Sequence, residues 1–192
     1  MNAESNVPPI RFNGFSGEWE ERKLLDNFEK IIDFRGRTPK KLGLDWSKTG
    51  YLALSALNVK NGYIDPNVKA HYGSQELYVK WMSGNELHKN QVLFTTEAPM
   101  GNVAQIPDNN KYILSQRTIA FEVKPKRIEE IFLAKILGAT FVQKKLTSLS
   151  SGGTAQGVSQ KSLSTVDVVI PKDIKEQTKI GNYFQQLDTL IA

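Results

Sequence analysis

The sequence predicts an α+β domain, a mixed or curled β-sheet flanked by helices, that runs at its C-terminal end into a long helix. Three observations carry this. Short apolar runs bounded by Gly, Pro and Asn turns fill the middle of the 192-residue chain, the pattern of short strands. Helical periodicity appears near residues 74–82, 127–147 and 173–192, so helices and strands alternate. No internal repeat or low-complexity tract organises the chain, and its length suits one domain plus a short appendage.

Taken in order, Asn6 to Ile10 (NVPPI) reads as a flexible terminus, and Trp19 to Phe28 (WEERKLLDNF) as a short mixed opening segment. Gly36 to Lys41 (GRTPKK) is a basic loop in which Pro39 biases Thr38 away from helix. Tyr51 to Leu57 (YLALSAL), bounded by Gly50 and the NVKNG turn, is a buried strand. Ser74 to Met82 is a short helix with Ser74 as its N-cap. Gln91 to Thr95, Val103 to Ile106, Tyr112 to Leu114 and Thr118 to Val123 are short strands. Residues 127–147 read as one helix with Ile128, Ile131, Phe132, Lys135, Ile136 and Ala139 near one face, weakened but not ended by Gly138. Ser148 to Gln160 is a polar, glycine-rich loop, and Val166 to Ile170 a last strand stopped by Pro171. Asp173 and Glu176 have capping-box-like spacing ahead of an apolar stripe of Ile180, Tyr183, Phe184, Leu187, Leu190 and Ile191. The stripe is still running at Ala192 without a C-cap, which reads as the opening of a longer helix.

Charge is unevenly spread. Residues 35–89 carry nine basic and four acidic groups and residues 111–161 nine and three, whereas residues 1–34 carry four and seven. Such clustering suits a phosphate-rich partner. The chain has no cysteine, so thiolate nucleophiles, disulfides and cysteine zinc sites are excluded. The N-terminus lacks a secretory pattern and no apolar run reaches the length of a membrane span, so a cytoplasmic protein without a membrane partner is expected.

Four near-motifs for catalysis fall short. NVPPI departs from the Asn-Pro-Pro-aromatic loop of adenine methyltransferases at Val7 and Ile10. Gly152 to Ser159 (GGTAQGVS) has phosphate-loop spacing, but Val158 stands where the lysine must be and a helix precedes it. The loop still offers backbone N–H groups to an anion. Pro107, Asp108, Glu122 and Lys124 match a magnesium-nuclease array, yet residues 90–110 have no basic group to steady a scissile phosphate. His71 and His88, the only histidines, lie far apart without a carboxylate at ligand spacing, and no Gly-x-Ser-x-Gly elbow is present. No catalytic or metal site and no cofactor is therefore expected on this chain.

Binding chemistry remains. Arg35, Arg37, Thr38, Lys40 and Lys41 crowd the first polar loop, and Thr154, Gln156, Ser159, Gln160 and Lys161 the last; Gln116 and Arg117 adjoin just before a strand. Arg pairs bidentately with guanine and Gln with adenine, whereas Lys, Ser and Thr mostly hold phosphates. These twelve residues are the candidate DNA contacts, with Arg37 and Gln156 as readers and Lys40 and Lys41 as positioners. Ile180, Phe184, Leu187 and Ile191 are the candidate helix interface. A protein-interaction module centred on that helix, and a magnesium nuclease, are the rival readings.

Five segments, in this order, resemble the target recognition domain of type I restriction–modification specificity subunits. They are GFSGEWEERKL (Gly14 to Leu24), GRTP (Gly36 to Pro39), SQRTIAF (Ser115 to Phe121), GTAQGVSQKSL (Gly153 to Leu163) and IPKDIKEQTKIGNYFQQLDTLI (Ile170 to Ile191). In that family two recognition domains each read half of a split DNA site, and long helices between them dock the methyltransferase subunits. Methylation and cleavage belong to other subunits. The resemblance implies a recognition domain over residues 1–171 and the start of a spacer, or coiled-coil, helix over 173–192. The implied partners are double-stranded DNA, methyltransferase subunits that use S-adenosylmethionine, and restriction/translocase subunits. Homodimerisation through the C-terminal helix is a further expectation.

Overall fold

A four-stranded antiparallel sheet runs through the centre of the molecule in the order β2 (Phe28–Asp33), β8 (Thr118–Val123), β5 (Val92–Thr95), β6 (Val103–Gln105). The computed structural model describes residues 6–68, 70–151 and 156–191, so Thr154 lies outside the described residues, as does the side chain of Ile191. Strand β5 is buried at every position because both sheet faces are covered. Successive side chains alternate between those faces. Val92, Phe94, Ile119 and Phe121 belong to one core with the helices α2 (Glu130–Gly138) and α3 (Thr140–Leu149). Leu93, Ala120, Ala104 and Ile32 belong to a second core on the other face.

The second core is closed by a small sheet, β4 (Tyr72–Gly73), β3 (Tyr51–Leu54), β7 (Ile113–Leu114), in which β3 and β7 are parallel. The sequence reading of a strand over 51–57 therefore holds only to Leu54; residues 55–57 turn away, with Asn58 donating to the Ala53 carbonyl. The short helix appears as α1 (Gln75–Met82), and Ser74 caps it, accepting from the Leu77 N–H at 3.2 Å. Trp81 on α1 is fully buried, its indole N–H donating to the Leu114 carbonyl at 2.7 Å. Gly73 packs closely here: a Cβ would sit 2.2 Å from Ile113 Cδ1, so the buried Ile113 side chain would have to shift.

The single helix expected over 127–147 is two. It ends at Gly138, and Ala139 is extended, with φ −64° and ψ 139°. The Gln143 amide donates to the Leu137 carbonyl at 2.7 Å and to the Gly101 carbonyl at 3.0 Å, satisfying acceptors at the break. The turn lets Val142 and Leu146 of α3 reach the core already filled by Phe132, Leu133, Ile136 and Leu137. The opening segment forms β1 (Glu20–Lys23), which pairs antiparallel with β9 (Asp167–Ile170) and so joins the two ends of the domain. Within the glycine-rich stretch Ser159 caps one turn of helix, α4 (Gln160–Leu163).

Helix α5 (Ile174–Ile191) docks on α2 along much of its length, from Gly181 against the Phe132 backbone to Asp188, which accepts from the Lys135 ammonium. Asp173 caps it, accepting from the Lys175 N–H at 2.7 Å. Glu176 is no capping-box partner. Its side chain is 1% exposed and takes a bidentate pair from Arg11 at 2.7 Å, plus the Trp19 indole N–H at 3.3 Å. Its neighbour Gln177 donates to the Arg127 and Pro171 carbonyls and accepts from the Glu129 N–H. Residues 6–10, read as a flexible terminus, are held at one end by the Trp19 N–H on the Asn6 carbonyl and run straight into Arg11 of the same cluster. Ile180 packs on the domain core, whereas Phe184 is 47% exposed.

Candidate nucleic-acid interface

Because β2 and β5 both run antiparallel to β8, the end of β2, the start of β8 and the end of β5 emerge at one end of the sheet. The loops they carry are residues 34–41, Ser115 to Arg117, and Thr96 to Gly101. The last polar loop is stitched to them: the Val158 N–H donates to Thr96 O, the Thr96 N–H to Arg117 O, each at 2.9 Å, and Gly157 bridges Glu97. Basic segments far apart in the chain thus meet at one end of the fold.

A cleft of about 490 Å³ opens among them, lined by Arg37, Thr38 and Lys40, by Gln116 and Arg117, and by Trp46, Leu57 and His71. The rings of Trp46 and His71 stack 5.1 Å apart, 12° from parallel. The Gln116 amide donates to the Arg37 carbonyl at 3.0 Å, joining the first two loops. Arg117 adopts a left-handed backbone, φ 64°, and its guanidinium meets Glu97 at 3.1 Å.

The candidate contacts differ in how free they are. Arg37 is half-buried, its guanidinium 4.3 Å from the Phe34 ring centre and bonded to the Trp81 carbonyl. Thr38 is extended and caps the 3-10 turn Pro39–Leu42 by accepting from the Lys41 N–H. The Lys41 ammonium donates to the Gly36 carbonyl at 2.7 Å. Lys40, Gln156 and Lys161 are exposed, with no side-chain bond or ion pair to any described residue. Arg35 and Gln160 both reach Asp33, a residue the sequence did not single out. Burial opposes ionisation of the Asp33 carboxyl. Hydrogen bonds from the Arg35 side chain and N–H and from Gln160 outweigh it and hold the carboxyl below its ordinary value. The one sequence signal for Asp33 was its position two before Arg35, a spacing at which an Asp closes an Asx turn. Trp46, Glu97 and the ring of His71 gave no sign of belonging here.

The catalytic near-motifs are spent on local contacts. Asp108 closes a turn on Asn110 and accepts from the Tyr112 hydroxyl, Glu122 accepts from Gln91, and the Lys124 ammonium donates to the Asp26 carbonyl. His88 pairs with Glu130 at 2.8 Å. Val158 of the phosphate-like loop is buried, and the Gly157 and Val158 N–H groups are taken by Ser151 and Thr96. Among the described residues no three metal-capable side chains cluster, and no helix is long and apolar enough to cross a membrane.

Residues 16–192 match the family described as the type I restriction modification DNA specificity domain. No curated protein matches the chain. Among solved structures, the chain is similar to the type I restriction–modification S subunit of M. genitalium, at 15% identity and TM-score 0.61, covering 96% of this chain and 42% of that one. It is also similar to the HsdS subunit of Thermoanaerobacter tengcongensis, at 14% identity and TM-score 0.61, covering 94% and 40%. A third similar chain comes from work on complex assembly and conformational transition of the type I R-M system, at 15% identity and TM-score 0.63, covering 100% and 41%. The chain thus spans about two fifths of the length of these structures.

Proposed function

The chain belongs to the family of type I restriction–modification DNA specificity domains, and from that premise we propose that it binds one half of a bipartite duplex DNA target without catalysis of its own. The observation that carries this reading is the meeting of the basic loops around residues 34–41, 115–117 and 156–161 at one end of the central sheet. Residues 1–171 are the recognition domain, and 173–192 open a spacer helix. Methyltransferase subunits, which supply S-adenosylmethionine chemistry, and restriction/translocase subunits are the partners this places on the DNA.

Within the interface, exposed Lys40 and Lys161 suit phosphates, as do Thr38, Lys41 and Ser159 at loop turns. Arg117, Gln116 and Gln156 are placed to read base edges; Arg37, held by Trp81 and Phe34, shapes the cleft that Arg117 borders. Retention on duplex DNA tests the reading. Binding should fall steeply with salt, because Lys and Arg release counterions from phosphates. Salt-insensitive binding to random duplex, or metal-dependent cleavage of a plasmid, would overturn it.

The exposed stripe of α5 serves a second role in this proposal. Ile180 is spent on the domain, but Phe184 borders an apolar groove of about 790 Å³ with Tyr63 and Phe141. Phe184 and Leu187 form the seam through which two copies pair, an isologous contact.

A further inference from the structure

Two candidate residues from loops more than a hundred positions apart share one carboxylate. Asp33, the last residue of β2, accepts the Arg35 backbone N–H on Oδ1 at 3.0 Å. Its Oδ2 accepts Arg35 Nε at 2.8 Å, Arg35 Nη2 at 2.6 Å, and the Gln160 side-chain amide at 2.9 Å. The carboxylate is the inner member, its side chain 11% exposed against 41% for Arg35. Asp33 occupies the Nε–Nη2 edge of the guanidinium. Along the Nη1–Nη2 edge no further bond is made to any described residue, and the side-chain amide oxygen of Gln160 accepts none either.

The free guanidinium edge is the fork that matches the N7 and O6 acceptors of guanine in the major groove. A free arginine must lose rotamer freedom to make that pair; here the freedom is already spent in the unbound protein. The shared carboxylate also fixes the first polar loop relative to the last. By contrast Arg37 already donates Nη1, one arm of that edge, to the Trp81 carbonyl.

We propose that Arg35 and Gln160, mounted on Asp33, form one composite base-reading unit, in which Arg35 reads a guanine and Asp33 is its positioning residue. This rests on the DNA-binding reading above and names the contact that gives it sequence choice. Asp33 itself touches no base. Its negative charge opposes phosphate binding, so its value to the interface lies in orientation alone.

The test enriches a pool of short randomised duplexes on the wild-type chain and on Asp33→Asn and Arg35→Lys. Asp33→Asn keeps the shape of the side chain and removes its charge; Arg35→Lys keeps the positive charge and removes the fork. Melting curves verify that each variant is folded. The wild type should enrich a site with a guanine at one position. Both variants should lose that guanine preference by roughly 5- to 150-fold, the discrimination of one bidentate contact. Affinity for the unselected pool should hold in Arg35→Lys and hold or rise in Asp33→Asn, a split that mere loosening of the loops would not produce. If the wild type enriches a site and both variants enrich it equally well, the composite reader is wrong and the DNA-binding reading stands. If the wild type enriches nothing, both fall. A variant that loses site preference and pool affinity in equal measure assigns Asp33 a structural role and overturns the proposal.

Discussion

Removing Arg11 should destabilise the domain more than any other single surface-charge change. Arg11→Met leaves the Glu176 carboxylate, 1% exposed, with only the Trp19 indole N–H at 3.3 Å. Breaking a buried ion pair from one side costs about 3–5 kcal/mol, because the remaining charge is desolvated and uncompensated. The Arg11 side chain is 15% exposed, so water can reach part of the vacated space. That sets the expectation near the lower end, about 3 kcal/mol. At a urea slope of roughly 2 kcal/mol/M, the unfolding midpoint falls by about 1.5 M. Arg11→Met with Glu176→Met removes both charges and should recover most of the loss, since an apolar pair of similar volume commonly replaces a buried ion pair at little cost. Urea titrations followed by circular dichroism measure all three proteins. A single variant within about 0.3 M of wild type, or a double variant no better than the single, would refute the reasoning.

Gly181→Ala places a Cβ 2.8 Å from the Phe132 backbone nitrogen, an overpacking cost of about 1–3 kcal/mol, and calorimetry should show melting lowered by about 2–4 °C per kcal/mol. Asp33 titrates below its ordinary value of 3.8, so its contribution is present above pH 3.8 and lost as pH falls through the folded value. Glu130 runs the other way: burial raises it above 4.5 against the opposing His88 contact, so its contribution is full below 4.5 and lost as pH rises through the folded value. Denaturation across pH should therefore show a flatter acid limb for Asp33→Asn and a flatter limb above pH 4.5 for Glu130→Gln. Lys40→Ala and Lys161→Ala should weaken binding to all duplexes alike and shrink the slope of log K against log salt by about one each; a change confined to one sequence would refute their phosphate role. Phe184→Asp with Leu187→Asp should abolish concentration-dependent dimerisation in sedimentation while leaving the domain folded, because a charge in an apolar seam has no counter-ion.

The central strands were legible because their apolar runs are short and bounded by turns, and burial on both faces only lengthens such runs. The N-cap Ser74 was legible because capping is a local contact. The break at Ala139 was not. Alanine is the best helix former, and the bonds that satisfy the break run from the Gln143 side chain, one of them to Gly101, forty-two residues away. Glu176 had the spacing of a local cap but the environment of a buried ion, and its partner lies 165 residues earlier. Helix α4 is one turn long and has no periodicity to read. For the candidate interface, composition picked out the polar loops, but only the antiparallel order of β2, β8 and β5 brings them to one end. Asp33 was passed over despite its spacing to Arg35, because an acidic residue argues against a phosphate partner until its bonds to Arg35 and Gln160 are seen.

Helix α5 joins the domain in an unusual way for an amphipathic helix. Its first turns bury polar groups, Glu176 on Arg11 and Gln177 on three backbone positions, while Phe184 and Leu190 further along stay exposed. Apolar contacts are non-directional and tolerate sliding. A bidentate ion pair and an amide using both its oxygen and its nitrogen tolerate little, because each bond depends on direction. At Gly181 the missing side chain brings α5 against the α2 backbone, which leaves little room to roll. The polar anchor therefore contributes direction more than stability: it fixes the angle at which α5 leaves the domain. On the proposed function that angle matters, since a reader of half a split site must hold its loops at a set distance and rotation from whatever its helix engages.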